Sequence, residues 1–441
     1  MRGMNKLNAL FVFLLCGCVA CAVEPLRYKV EADRPECIYR CGERATFTVT
    51  ITGTNGIPVK TGKVKSTLDN FGRKTIAATE FDLSVTNVFT LSGQLDEPGF
   101  LRMRFSPEPF GSGTKVWSVA YDPKLIVKGS PSPADFDAYW ANERARLRRE
   151  VPLDPRLVRV PERCTKEFEF FRISFATFGR RVYGYLSVPT DRSKAPFPAH
   201  VEVNAAGFGD WTNDMKGRAD SICMRMGVYD FDLDWRWKEL GLKKKYEALN
   251  EACKKKYGCG YPAAGISDSR EAYFFHPVLL GIDRAVDWLA ARSDVDKSRF
   301  RYEGTSQGGG FGLYLLGLNH VFTRAALYVP AISDAMGYRK DRLSSWPSLV
   351  ENNSKTPEMR TAAERWAPYF DGANFASRIA CPVRIAVGFS DVTCPPCSVY
   401  AAYNEIPVKD KGIVHGIGMT HSCYAKFYSE LGAWVRDDKA R

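Results

Sequence analysis

Between Phe300 and Leu318 the chain reads FRYEGTSQGGGFGLYLLGL, and Ser306 has a glycine two positions before it and another two after. Gly304-Thr305-Ser306-Gln307-Gly308 fits the pattern G-x-S-x-G at the point where a strand pattern gives way to a helical one. On such a strained strand-to-helix turn a serine stands exposed as a nucleophile, and side chains at the two flanking glycines would collide with neighbouring backbone. The same letters also describe a glycine-rich helix start without chemistry. Partners separate the two readings, because a serine hydroxyl needs a base to take its proton and the base needs an acid to fix its tautomer.

On a strand-turn-helix serine the chain order of these groups is serine, acid, histidine. Three histidines follow Ser306. His320 falls near the end of the helix after the turn and reads as a surface or capping residue. His415 lies within the apolar strand pattern GIVHG, where a packed or exposed strand histidine is the default. His421 follows in the loop GIGMTHSCY and is the best candidate for the base. The acid should end an earlier strand on the same edge. Asp391 does so after VRIAVGFS, with Asp334, after YVPAIS, as its rival. Developing charge on a substrate oxygen needs two backbone N–H donors, each contributing about 3 kcal/mol in the transition state. The Gln307 amide opens the helix, where the dipole favours negative charge. The second donor is expected in the turn after VEVNAAG, at Ala206 or one position either side.

These residues need a sheet to hold them, and the sequence divides into two patterns. From about Leu26 to Val127, short segments such as ATFTVTIT and KVWSVAYDP alternate apolar with polar residues between Gly, Asn, Asp and Pro. That spacing predicts a small all-β, immunoglobulin-like sandwich over residues 23–129. It contains no histidine. Gly129, Pro131 and Pro133 then mark a boundary. A helix from Ala134 to about Arg149 places Phe136, Tyr139 and Trp140 on one face, a core stripe. The remainder, 130–441, opens with a hairpin and then alternates strands with helices, including an amphipathic helix carrying Val278, Ile282, Ala285, Val286 and Leu289 on one face. This pattern predicts an α/β unit with a mostly parallel sheet covered on both faces.

Residues 1–22 read as a signal peptide: Arg2 and Lys6 precede the apolar run LNALFVFLLCGCVACA, which ends in the small-x-small Ala20-Cys21-Ala22. A secreted or periplasmic location follows, with a lipoprotein anchored at Cys18 as the alternative. Of thirteen cysteines, Cys16, Cys18 and Cys21 fall in that leader. The ten that remain permit disulfides, with Cys253–Cys259 expected first and Cys37–Cys41 second. Cys394-Pro395-Pro396-Cys397 has redox spacing but comes too late in the chain for that context, and is read as structural. No cysteine has histidines at zinc-finger spacing, so no metal is expected. The formal charge of +12 comes largely from runs such as LKKKYEALNEACKKKYG, a solvated helix and loop. Aromatics are not interleaved with the bases, which argues against a nucleic-acid partner. The leader is too short for a comfortable membrane span.

The second unit, from about Pro133 to Arg441, resembles the acetyl xylan esterase and cephalosporin C deacetylase family of α/β hydrolases. Four stretches carry the resemblance: PADFDAYW with VPLDP soon after, GTSQGGG, YFDGANFASRIACPVRIAVGFSDVTCPPCSVYAAYN, and the late histidine. It implies an α/β-hydrolase fold, Ser306, Asp391 and His421 as a triad, Gln307 and Ala206 at the oxyanion region, acetylated carbohydrate as substrate and no cofactor. The family often assembles as homo-oligomers. This chain departs from the pattern in carrying Ser422 after His421 where glutamate is usual. It also has MRMGVYDFDLDWRW and a basic insertion in place of an Arg-Gly-Gln segment, so oligomeric state and pocket shape do not transfer. Trp211, Trp235, Trp237 and Tyr338 are candidate sugar-site aromatics, with core packing as the alternative reading. Three other functions stay open: a prolyl-oligopeptidase-like peptidase, for which the leading β-unit is too short to be a propeller; an esterase of other small substrates; and a non-catalytic glycan-binding surface protein.

Overall fold

The structure, a computed structural model, describes residues 26–108 and 113–437. The expected signal peptide and the Cys18 anchor lie outside them. No helix among the described residues is long and apolar enough to cross a membrane.

Eight strands form the N-terminal unit: β1 (Leu26–Ala32), β2 (Ile38–Tyr39), β3 (Ala45–Gly53), β4 (Lys63–Asp69), β5 (Thr75–Asp82), β6 (Val88–Gly93), β7 (Gly99–Glu108) and β8 (Lys115–Tyr121). They make two sheets, β1-β3-β6 and β2-β8-β7-β4-β5. The strict alternation read in the sequence becomes strict alternation of burial: along β3, Ala45, Phe47, Val49 and Ile51 point into the core while the residues between them face outward. This is the sandwich the pattern predicts.

A nine-stranded sheet follows, in the order β17-β16-β15-β14-β12-β13-β11-β10-β9. Its strands are β9 (Arg156–Arg159), β10 (Phe168–Thr177), β11 (Arg180–Pro189), β12 (Phe197–Val203), β13 (Ile222–Met226), β14 (Val295–Thr305), β15 (Arg324–Tyr328), β16 (Val383–Gly388) and β17 (Lys411–Gly416). From β13 through β12 to β17 every pairing is parallel, whereas β9, β10 and β11 pair antiparallel at the other end. The sequence pattern did not reveal β9 and β13. Both are short, and β9 is exposed along its length, so it carries no burial signal.

Among the helices, α1 (Phe136–Glu150) buries Phe136, Tyr139 and Trp140, the core stripe expected of it. Trp140 meets Phe370 edge-on at 5.3 Å. The short α2 (Asp210–Asn213) and the basic α3 (Leu242–Tyr257) come next, followed by α4 (Phe275–Ala290), whose predicted apolar face is buried. Helix α5 (Gln307–Leu318) is buried from Gln307 to Gly317 and is apolar all round, as a helix in the middle of a core must be. α6 (Pro357–Trp366), α7 (Gly372–Ala376), α8 (Pro396–Glu405) and α9 (Ala425–Arg436) complete the set.

The cysteine expectations are corrected. All ten described cysteines are free, Cys253 and Cys259 included. The Cys259 thiol points at the Asn353 carboxamide oxygen, 3.9 Å away, and Cys253 is buried on α3. Cys37 and Cys41 are likewise unbridged.

The segment joining the two units is bonded along its length. The Gly129 amide donates to Asp334 Oδ1 at 2.6 Å, Arg342 donates to the Val127 carbonyl at 2.8 Å, and Asn404 donates to the Pro123 and Ile126 carbonyls. Asp334 is fully buried against Arg342, at 2.9 Å, and burial outweighs that guanidinium to lift its pKa to about 6. Replacing Asp334 with alanine leaves Arg342 buried without its counter-charge, which is expected to lower the unfolding free energy by about 3–5 kcal/mol in urea titrations. A loss under 1 kcal/mol would show that the pair contributes little.

Candidate active site

The sheet directs its parallel strands so that their carboxyl ends gather on one edge, where open α/β sheets place their ligands. β14 ends at Thr305, and Ser306 follows with φ 55° and ψ −117°, a backbone conformation that L-residues avoid. Such a conformation costs about 1–3 kcal/mol and persists only when its surroundings fix it. Here the Ser306 amide donates to the Tyr328 carbonyl at 2.9 Å, and its own carbonyl accepts from Ala331 at 3.0 Å and Gly310 at 2.9 Å.

Both motif glycines are required by close approach. A Cβ on Gly308 would lie 2.1 Å from the Val203 carbonyl oxygen, and one on Gly304 would lie 2.4 Å from the Gly308 carbonyl oxygen. Each neighbour is backbone and cannot step aside.

β16 ends at Gly388, and the turn after it buries Asp391 completely. Oδ1 of Asp391 accepts from the amides of Thr393 and Cys394, at 2.8 and 2.9 Å, and Oδ2 lies 2.8 Å from His421 Nδ1. His421 follows β17, and its Nε2 is 2.9 Å from Ser306 Oγ. Three residues far apart in the chain thus form one hydrogen-bonded relay from hydroxyl to imidazole to carboxylate. Such a relay can take a proton from the serine, hold the positive imidazole against the acid, and return the proton to a leaving group.

The other candidates are engaged elsewhere. Asp334 holds the connecting segment. His320 is exposed, with Nε2 3.2 Å from the Arg378 carbonyl. Nε2 of His415 is 2.6 Å from the Tyr400 hydroxyl, and burial pushes the ring's pKa down.

Gln307 begins α5, so its backbone N–H has no partner within the helix. Its side chain bonds Asn204, donating from Nε2 to the carbonyl at 3.0 Å, and accepts from the Tyr261 hydroxyl at 3.0 Å. The turn carrying Ala206 is thereby tied to the helix start. The place of that turn relative to Ser306 is set by these bonds and by the Gly308 contact.

Comparison with known proteins identifies the family. The family model described as acetyl xylan esterase (AXE1) matches residues 127–436. The chain belongs to the acetyl xylan esterase family. It is therefore a carboxylic ester hydrolase, which sets aside the reading as a non-catalytic binder. The acetyl esterase Axe7A of Xylanibacter ruminicola is 28% identical over 465 residues, covering 98% of this chain and 97% of the relative, so that match extends into the N-terminal sandwich. Two solved acetyl xylan esterases share the fold. That from Paenibacillus sp. R4 has a TM-score of 0.58 at 21% identity, covering 71% of this chain and 97% of its own. Acetyl xylan esterase 1 from Thermoanaerobacterium sp. JW/SL YS485 has a TM-score of 0.57 at 20% identity, covering 71% of this chain and 98% of its own.

In this acetyl xylan esterase family member, the Cys-Pro-Pro-Cys sequence lies at the start of α8. Cys394 and Cys397 are both fully buried, and burial pushes Cys397 up to about 12 and Cys394 well above the ordinary thiol value. Redox thiols require the opposite shift. Among the described residues, the one group of His, Cys, Asp or Glu side chains close enough to share an ion is Asp391, Cys394 and His421. Both Asp391 oxygens and both His421 ring nitrogens are already in the relay's hydrogen bonds.

The candidate aromatics separate. Tyr338 is buried, its hydroxyl on Glu364 at 2.6 Å, and Trp235 and Trp237 are half-buried. Trp211 is 57% exposed, and its Nε1 donates to the Ala206 carbonyl at 3.2 Å. Sequence reasoning missed a depression of about 380 Å³ beside the acid turn, lined by Pro262, Ala263, Trp346, Asn352, Val392 and Thr393. The Trp346 amide donates to the Thr393 carbonyl at 2.9 Å, two residues past Asp391. The long loop after β15, which carries Ser-Ser-Trp-Pro-Ser, is the signal that could have located it.

Gly308→Ala places its methyl against the Val203 carbonyl and must displace either the Ser306 turn or the end of β12. A misplacement of about 1 Å near the chemistry costs about a hundredfold in rate. Initial rates on an aryl acetate are expected to fall by at least that factor, and a Gly308→Ala enzyme with ordinary activity would contradict the contact.

Proposed function

We propose that this protein is an exported serine esterase that removes O-acetyl groups from carbohydrate, with acetylated xylan or xylo-oligosaccharides as the substrate. The observation that carries the reading is the continuous relay Ser306–His421–Asp391, at 2.9 and 2.8 Å, in a chain of the acetyl xylan esterase family.

Ser306 Oγ attacks the acetyl carbonyl carbon while His421 Nε2 takes its proton. Amides of Gln307 and of the Ala206 turn stabilise the oxyanion. Collapse breaks the ester bond, and the proton on His421 goes to the departing sugar oxygen. Water, deprotonated by His421, then attacks the acetyl-enzyme, and acetate leaves as Ser306 regains its proton. Asp391 orients the imidazole throughout, and no cofactor takes part. The exposed Ser422 beside the base leaves this assignment unchanged, because orientation rests on Asp391.

Two features support a sugar as the alcohol half of the ester. Trp211 offers an exposed indole, tethered to the turn that carries an oxyanion donor, as a face for a sugar ring. The depression beside Asp391 is lined by both apolar and polar groups, as pockets for small ligands are.

Acetate release from acetylated xylo-oligosaccharides tests the reading. Ser306→Ala is expected to lower kcat by roughly 10⁴ or more. Wild-type activity confined to aryl acetates, still dependent on Ser306, would retain the mechanism and remove the carbohydrate assignment. Trp211→Ala is expected to raise KM for the oligosaccharide about tenfold, on the order of 1.4 kcal/mol of binding. A smaller effect is expected on an aryl acetate, and equal effects on both would remove Trp211 from sugar recognition.

A further inference from the structure

The sandwich has no histidine, no described metal cluster and no place in the relay, yet it touches the relay's supports at several points. β8 and β7 lie against the two loops that carry the acid and the base. The buried Ser118 hydroxyl of β8 donates to the carbonyl of Phe389, two residues before Asp391. Phe100 of β7 meets the Phe389 ring edge-on at 5.1 Å and the Tyr400 ring at 5.9 Å. On the neighbouring loop, three residues before His421, Gly418 has φ +68°, and a Cβ there would lie 2.3 Å from the Trp117 indole. Trp117 therefore sits directly on the backbone that leads to the base.

The two loops are also stitched to one another. Phe389 donates its amide to Gly416 at 3.0 Å, and Ser390 donates to Met419 at 3.0 Å. A Cβ on Gly388 would lie 2.7 Å from the carbonyl oxygens of both Met419 and Thr420. Phe389 is thus held on both sides, by β17's end through its amide and by the sandwich through its carbonyl. Tyr400 links the same cluster to His415 in β17.

We propose that β7 and β8 of the sandwich are a positioning device for catalysis, in which Ser118, Phe100 and Trp117 set the acid turn and the base loop in register with Ser306. This rests on the triad reading above. Ser118 and Trp117 are positioning residues, because they act through the Phe389 carbonyl and the Gly418 backbone and touch no reacting atom. The physical reason is the narrow tolerance of the relay. A hydroxyl-imidazole-carboxylate chain works only with both bonds at hydrogen-bonding distance, and small displacements near the chemistry cost large factors in rate. A sandwich serving only to hold glycan would need no contact at these two loops.

The test uses the full chain and an aryl acetate, so that the sugar assignment does not enter. Ser118→Ala and Trp117→Ala are each expected to lower kcat about tenfold or more with KM within about twofold, because the groups that bind substrate stay in place. Ser118→Thr, which keeps the hydroxyl, is expected to recover most of the rate. Ile51→Val on β3, in the sandwich's other sheet, serves as a control that lowers Tm without touching either loop. At a matched loss of Tm it is expected to retain kcat. Trp117→Phe and Phe100→Leu are milder replacements that carry the same comparison if an alanine variant does not fold. Full kcat in folded Ser118→Ala and Trp117→Ala, or a loss no greater than that of Ile51→Val at equal Tm, would overturn the proposal while leaving the triad intact. A Ser306→Ala enzyme that stays active would overturn both.

Discussion

At the start of α5 the backbone of Gly308 passes so close to the Val203 carbonyl that no side chain fits between them, and this contact fixes much of the site. It brings the end of β12 against the start of α5, so the turn that carries Ala206 and the helix start at Gln307 are placed together. It also leaves Ser306 in a conformation that would relax if its neighbours moved. The hydrogen bond that Ser306 donates to Tyr328 and those its carbonyl accepts from Ala331 and Gly310 oppose that relaxation, as does the bridge of Gln307 between Asn204 and Tyr261. Strain of this kind is stored at functional sites, and here it holds the hydroxyl of Ser306, only 7% exposed, against His421 Nε2.

From that fixed point the rest of the site is built by parallel pairing. Because β12, β14, β15, β16 and β17 all run the same way, each delivers its following loop to one edge. Ser306, Asp391 and His421 come from three of those loops, and the Ala206 turn from a fourth. The loop after β15 does different work: Asp334 fastens the connecting segment, and Trp346 walls the depression beside the acid. Elements with similar positions in the sheet therefore divide into those that meet in the relay and those that hold the units together.

The sandwich is joined to this edge through more than the chain connection. A buried ion pair, Asp334 with Arg342, meets the connecting segment on one side. Gly72 pairs with Arg342 across the units, and β8 reaches the acid and base loops directly. On the sandwich side, Gly72, Trp117 and Ser118 make these contacts from residues that precede the family-matched region.

The sequence by itself determined the candidate groups and their order along the chain. G-x-S-x-G between a strand and a helix, a carboxylate at the end of a later strand and a histidine in the loop after the last one are local signals, legible because each depends on neighbours within a few residues. Alternation in the first hundred residues similarly disclosed the sandwich. Asp391 is preferred to Asp334 and His421 to His415 from position relative to strand ends, and Asp391, His421 and Ser306 lie within hydrogen-bonding distance because parallel strands carry their ends to the same side. What the sequence did not reveal depended on distant partners. The short β13 exists because β11 and β12 flank it, and β9 because it pairs with β10. Cys253 and Cys259, close in the chain, are unbridged because Cys259 turns toward Asn353. Trp211 and Tyr338 carry the same apolar signal, yet one is exposed over the Ala206 turn and the other buried on Glu364. Only the tertiary structure decided these, since burial and contact across hundreds of residues arise when the sheet closes and leave no mark in local spacing.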